Sequence, residues 1–240
     1  MATQVETLHK EQLSSEENKQ TDTTAGEQLT SNPTHPLQNE WTLWFFQQDS
    51  TKDWGDCFQE IISFNTIEGF WSCFRFTLEN FVETISFKVH KASRPSPNNC
   101  NYSVFKKGIR PMWEDPANMQ GGRWLIQITR VKEGIGKAST AHWFETLMLL
   151  IGEAFIDEQS PKDEQPLSND ICGAVIEIKQ KNDRLALWSR DLNKARQDRI
   201  GKILKNTLQK HAGLSNFVLF QFFSHADSSK EGKSKVICQV

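Results

Sequence analysis

The sequence has a single tyrosine, Tyr102, among 240 residues, and no excess of either charge. Lysine and arginine number 28 against 30 aspartates and glutamates, a net charge of −2. That balance excludes a broad basic face for indiscriminate polyanion binding, so any nucleic-acid contact has to be local and specific. No apolar run approaches a membrane span and the N-terminus carries no apolar signal core, so no membrane association is expected. The five cysteines, Cys57, Cys73, Cys100, Cys172 and Cys238, are scattered, odd in number and without a C-x-x-C pair. They argue against a disulfide framework or a structural zinc site and for buried thiols in a reducing compartment. The histidines (His9, His35, His90, His142, His211 and His225) are dispersed, and no phosphate loop, nucleophile elbow or metal-ligand spacing occurs. The expected protein is therefore not an enzyme and has no metal and no cofactor. Its expected compartment is the cytoplasm, with nuclear entry left open.

What the chain does hold is indole: eight Trp, with sixteen Phe. The most informative stretch is Pro111-Met112-Trp113-Glu114-Asp115-Pro116, leading to Gly121-Gly122-Arg123-Trp124. It sets a flat aromatic ring beside two carboxylates, between two prolines that stiffen the backbone. An indole and a carboxylate on one loop can take a flat ligand by its face and its edge. Guanine offers such an edge, with adjacent N1–H and amine donors. If N7 is methylated, the base is a cation and its stack gains a cation–π attraction. Taken alone, the hexapeptide reads as well as a buried Trp with a solvated acidic turn.

Along the chain, residues 1–34 are rich in Gln, Thr, Ser and Glu, without an aromatic residue, and read as a disordered tail. One domain is expected over 35–240. Trp41–Phe46 reads as a strand buried on both faces, and Phe58–Phe64 as a second strand. Between them lies a polar loop with a lone indole, Trp54, which has little reason to be core. Asn65 or Thr66 can cap a helix whose Ile67, Phe70 and Trp71 cluster at helical spacing, with core packing as the default reading. Residues 75–90 alternate as strands do, and 92–101 read as loop. Arg123–Arg130 reads as a strand. Ser139 or Thr140 can cap a helix to about Phe155, with an apolar face of Trp143, Leu147, Leu150 and Ile151. Phe144 and Met148 form a ridge beside that face, either covered by another element or open to a partner helix. Asp191–Lys210 reads as an amphipathic helix (Leu192, Ile203, Leu204, Leu208) ended by Gly213, and Asn216–Phe223 as a strand. Lys230, Lys233 and Lys235 fall in a basic loop before a short final strand.

Ile171–Lys179 and Arg184–Trp188 read as a hairpin. Period-two geometry puts Glu177 and Lys179 on one face of the first strand, and Arg184, Ala186 and Trp188 on one face of the second. An indole and two or three cations, Lys181 at the tip included, then project together; an ordinary solvated hairpin face with a half-covered Trp fits the same pattern. The fold class expected from the element order is α+β, an antiparallel sheet with helices on one face.

These residues are together recognisable. His35-Pro36-Leu37, Trp41-x-x-Trp44-Phe45-Phe46, Phe70-Trp71, Tyr102-Ser103-x-Phe105, Met112-Trp113-Glu114-Asp115, Gly121-Gly122-Arg123-Trp124, Glu145-Thr146-Leu147, Ile151-Gly152-Glu153, Cys172-Gly173-Ala174-Val175 and Ser224-His225-Ala226-Asp227 resemble the eukaryotic translation initiation factor 4E family, over about residues 35–230. The resemblance implies a curved antiparallel sheet of about eight strands with about three helices on its convex face, and binding of the mRNA 7-methylguanosine cap. It implies that Trp54 and Trp113 sandwich the base, Glu114 accepts from its N1–H and amine, and Trp188 packs near the methyl group. Lys179 and Arg184 would hold the phosphates, with Arg123, Lys181 and Lys230 supporting. His35, Pro36, Ile67, Trp71, Phe144, Glu145 and Met148 would dock the short helix of the scaffold initiation factor 4G or of repressor proteins. Outside such a complex the chain is expected to be a monomer. Some positions depart from family usage: Lys179 for Arg, Glu177 for Asn, Asn101 for Asp, Phe144 and Met148 for Leu, and an extra segment around 75–90. They suggest a divergent paralogue with weaker phosphate holding, and leave open whether it promotes or represses translation. Two other classes stay in view, a cap-processing enzyme and a methyl-lysine reader whose aromatic cage takes a different cation.

Overall fold

A computed structural model describes residues 34–75, 100–129, 137–157, 164–179, 182–228 and 235–240. The tail (1–33), nearly all of the extra segment (76–90), Lys181, Lys230 and most of the basic loop lie outside the described residues. Eight strands form one antiparallel sheet. They are β1 (Pro36–Gln47), β2 (Phe58–Thr66), β3 (Cys100–Lys106), β4 (Gly122–Thr129), β5 (Ile171–Ile178), β6 (Asn182–Ser189), β7 (Phe220–Ser224) and β8 (Val236–Gln239), in the order β2-β1-β3-β5-β6-β4-β7-β8. The helices are α1, described over 67–75, α2 (Lys137–Ile151), α3 (Lys194–Ala212) and the single turn α4 (His225–Ser228). The fold is α+β, with the long helices on the convex face of the curved sheet.

Strand alternation sorts the side chains into two layers. Trp41 and Leu43 of β1, Tyr102 and Val104 of β3, Ala174 and Ile176 of β5, Leu185 and Leu187 of β6, and Trp124 and Ile126 of β4 pack against Phe70, Trp143, Leu147, Leu150, Ile200 and Leu204 of the helices. The residues between them face the other way. Trp44, Phe105, Val175, Ala186 and Trp188 form a second, smaller apolar cluster on the concave side. β1 is thus buried on both faces, as its aromatic content requires. Helix α3 sits close to β4 because Gly201 leaves room for Trp124. A Cβ at 201 would come within 2.4 Å of that ring. The Trp124 indole N–H donates to Gln197 Oε1 at 3.2 Å.

Several boundaries differ from those read from sequence. Thr66 does cap α1, accepting the Gly69 N–H at 3.1 Å. Only Phe70 of the three clustered residues is core, however; Ile67 and Trp71 are nearly half exposed. Helix α2 starts before Ser139, whose hydroxyl instead donates to Asp183 Oδ2 on β6 at 2.7 Å. It stops at Ile151, not Phe155. Glu153 takes a left-handed φ of 51°, and the Ala154 and Glu153 N–H groups return to Leu149 and Leu150 carbonyls. That pattern is a Schellman ending built on a glutamate, where a glycine would have advertised it. Helix α3 is capped by Asn193, which accepts from Ala195 and Arg196, so Leu192 lies outside it and is exposed. Gly213 ends it at φ +66° as expected. β7 begins only at Phe220; Phe217, read as strand, sits in a turn and is 93% exposed. The Pro- and Asn-rich composition predicts loop through Cys100 and Asn101, yet these residues open β3, the strand that joins β1 to β5.

Candidate functional site

The concave face carries a cavity of about 180 Å³, lined by Trp54, Phe58, Asn101, Ser103, Pro111, Trp113, Arg123, Val175, Glu177, Trp188 and His225. Its floor follows from the alternation described above. Ser103, Val175 and Trp188 point away from the helices because their neighbours Val104, Ile176 and Leu187 point toward them. Its walls are two loops, each bearing one exposed indole.

The first loop folds as a short 3-10 turn, Trp54–Cys57. Trp54 is 47% exposed and leans edge-on against Phe58, with ring centroids 4.9 Å apart. The second loop holds Trp113, 41% exposed. Its shape comes from two polar side chains. Asp115 accepts the backbone N–H groups of Arg110 and Ala117, both at 2.9 Å. The wholly buried Asn118 donates its amide to the carbonyls of Arg110 (2.9 Å) and Met112 (2.8 Å). Of the two carboxylates in the hexapeptide, Asp115 is therefore consumed by the loop frame, and Glu114 is exposed beside Trp113 without lining the cavity. The loops are tied together: Arg110 donates to the Gly55 carbonyl at 3.1 Å. Two indoles from distant parts of the chain thus stand on one cavity.

Trp188 is buried, not half-covered as a plain hairpin face would have left it. The Arg123 guanidinium lies 5.9 Å from its ring centroid, and the His225 ring lies 4.1 Å away, tilted by 39°. Burial pulls the Arg123 pKa below its ordinary value, opposed by the nearby Glu177 carboxylate. Lys179 Nζ lies 2.8 Å from Glu177 Oε2, and Arg184 Nη1 lies 3.9 Å from the same oxygen. The hairpin does bring Lys179 and Arg184 together around the Glu177 carboxylate, and β4 sets Arg123 beside Trp188. Asn101 Oδ1, Arg123 Nε, Trp188 Nε1 and His225 Nε2 are buried there without hydrogen-bond partners. Unpaired buried polar atoms are costly, and at this cavity they make its wall a candidate for holding a polar ligand.

The sequence offers His225 as one of several dispersed histidines and as part of the Ser224-His225-Ala226-Asp227 motif, with no place in the site. The His225 backbone N–H donates to the Gly121 carbonyl at 3.0 Å, which seats α4 at the cavity. Burial, and then Arg123, hold its pKa down at about 3 from an ordinary 6.5. The folded protein therefore refuses a proton that the unfolded chain accepts below pH 6.5. This contribution to stability is complete above the unfolded value and is lost as pH falls from there toward 3, at up to about 1.4 kcal/mol per pH unit. His225→Phe should flatten the pH dependence of the melting temperature between about pH 7 and about pH 5. Parallel profiles for mutant and wild type would contradict this.

The residues assigned to docking gather on the other side of the sheet. The Ile67 N–H donates to the His35 carbonyl at 2.9 Å, and His35 Nδ1 meets Glu68 Oε1 at 2.7 Å. The His35 side chain, and then the backbone N–H groups of Glu68 and His35, hold the Glu68 carboxyl down at about 2. Trp71 lies 5.9 Å from Phe144, which also meets Phe74 at 5.0 Å. Pro36 is exposed beside His35, and Glu145 and Met148 are half-buried on α2. Glu68 had no signal of its own in the sequence.

The family profile described as "Eukaryotic initiation factor 4E" matches residues 36–239. The eukaryotic translation initiation factor 4E of Aplysia californica is 38% identical over 203 residues, covering 84% of this chain and 81% of that protein. The human protein of that name is 36% identical over 216 residues, covering 88% and 87%. Among solved structures, the Caenorhabditis elegans eIF4E-3 in complex with the 4E-binding protein Mextli and a cap analog superposes with a TM-score of 0.65 at 33% identity, over 87% of this chain and 100% of that one. Ascaris suum eIF4E-3 with an m2,2,7G cap does so with 0.65 at 33%, over 87% and 99%. A profile match across nearly every described residue, relatives 36% and 38% identical over most of their length, and a shared sheet lead to one conclusion: this chain belongs to the eukaryotic initiation factor 4E family.

Proposed function

We propose that this protein binds the 7-methylguanosine cap of mRNA, stacking the base between Trp54 and Trp113, and brings the message to the translation initiation complex through a scaffold factor. The observation that carries the proposal is the pair of exposed indoles, set on one cavity by separate loops that the Arg110–Gly55 bond ties together. A stacked base contributes about 1–3 kcal/mol per aromatic face, and the methylated ring adds about 0.5–2 kcal/mol of cation–π attraction. Glu114, exposed beside Trp113, supplies an acceptor for the N1–H and amine edge. Arg123, Lys179 and Arg184 stand at the end where phosphates would lie, with Lys181 and Lys230 as further candidates. Trp188, against Arg123, would pack near the methyl group. Relatives solved with cap analogs support the ligand, and one solved with Mextli supports a protein partner.

Docking of the scaffold or a repressor helix is assigned to His35, Pro36, Ile67, Trp71, Phe144, Glu145 and Met148. A repressor role is the second reading, and Phe144 favours it. Its ring rests on Trp71 and Phe74, giving an aromatic ridge where the family resemblance places Leu. The test of cap binding is retention of RNAs that differ only in their 5′ end. The protein should retain 7-methyl-GpppG-capped RNA and release GpppG-capped RNA; equal retention of both would overturn the proposal. Recruitment of scaffold factor by the capped complex separates the two roles.

A further inference from the structure

We infer that Glu177 is a built-in counter-anion of the cavity, which occupies Lys179 and Arg184 and so weakens the site's discrimination between ligands by phosphate charge. This rests on the cap-binding reading and names its charge specificity. One carboxylate oxygen serves both cations, at 2.8 Å and 3.9 Å. Glu177 lines the cavity with Arg123 and Trp188, and it is the least exposed member of its own trio (18%, against 32% and 40%). The cations lie outermost, and the anion sits behind them against the wall.

The strand register explains how it comes to be there. Glu177 faces Arg184 across β5–β6 and Asn101 across β3–β5. Positions 101 and 177 are partners on one rung, so a carboxylate at 177 can be exchanged for one at 101 without changing the net charge. At 177 the charge lies two residues from Lys179, on the same face. Asn101 Oδ1 is left buried and unpartnered. A phosphate arriving at Lys179 and Arg184 must displace or share an anion already ion-paired with them, while the stacking indoles come from other loops and are untouched. Each added phosphate therefore strengthens binding less than it would without Glu177.

Isothermal titration of the full chain tests this with three ligands: 7-methylguanosine nucleoside, 7-methyl-GTP and inorganic triphosphate. E177Q should bind 7-methyl-GTP about ten-fold more tightly than wild type and the nucleoside within about two-fold, with inorganic triphosphate rising alongside. The gain should shrink in about 1 M salt, where the Debye length is about 3 Å. The exchange N101D/E177N, which keeps the net charge, should raise 7-methyl-GTP affinity as well, because the position of the carboxylate matters and not its presence. Equal gains for nucleoside and 7-methyl-GTP, or none, would overturn the inference. If wild type binds neither 7-methylguanosine nor 7-methyl-GTP, the cap-binding reading fails by itself. Inorganic triphosphate still judges Glu177, since E177Q binding it no better than wild type refutes the counter-anion role.

Discussion

Trp113→Ala is expected to lower the affinity for 7-methyl-GTP about 100-fold while leaving the melting temperature almost unchanged. The lost stack is worth about 1–3 kcal/mol and its cation–π share about 0.5–2 kcal/mol, so a total near 3 kcal/mol is reasonable, and about 1.4 kcal/mol is ten-fold. Stability should hold because the ring is 41% exposed and the loop beneath it is framed by Asp115 and Asn118, not by the indole. GTP loses only the neutral stack, so selectivity for the methylated base should fall along with affinity. Competition against a fluorescent cap analogue measures both without depending on the deleted fluorophore. A variant that binds as wild type does would remove Trp113 from the site.

Trp124→Ala is expected to have the opposite profile, a large loss of stability from a residue that touches no ligand. Its side chain is wholly buried between sheet and α3, against the space that Gly201 leaves open. Truncating a core Trp costs about 3–5 kcal/mol. It also strands Gln197 Oε1, the acceptor of the indole N–H, at about 1–3 kcal/mol if no other donor reaches it. With about 2–4 °C per kcal/mol for a domain of this size, the melting temperature should fall by at least about 8 °C. Calorimetry decides it, and a fall of only about 2 °C would mean that α3 closes over the gap.

The concave cavity was legible in part, for identifiable reasons. Trp54 advertises itself because an indole between polar, Gly-containing neighbours has no apolar face to join, whereas Trp113 taken alone reads as well as a buried Trp and stands out only with the rest of the chain. The hairpin grouping of Lys179, Arg184 and Trp188 follows from strand periodicity alone, and the pairing of Glu177 with Arg184 realises it. His225 was not legible as a cavity residue. Its place depends on β7 lying beside β4, a pairing of segments about a hundred residues apart, and on a backbone bond to Gly121. The role of Asp115 was hidden in the same way, since its partners, Arg110 and Ala117 N–H, are backbone groups that every sequence has. The ends of α2 were misread because a glutamate took the left-handed position and Ser139 found a long-range acceptor stronger than a local cap. β3 was overlooked beside a Pro- and Asn-rich run, although Tyr102, Val104 and the outward Ser103 alternate as a strand does. The fold class survived these local errors because it depends on which elements exist and pair, not on where each stops.

If the two exposed indoles select a methylated guanine, the intrinsic Trp fluorescence of the protein distinguishes 7-methyl-GTP from GTP. Titration with 7-methyl-GTP should quench it saturably at concentrations where GTP leaves the emission unchanged. Equal quenching by both, or none by either, would contradict that selection.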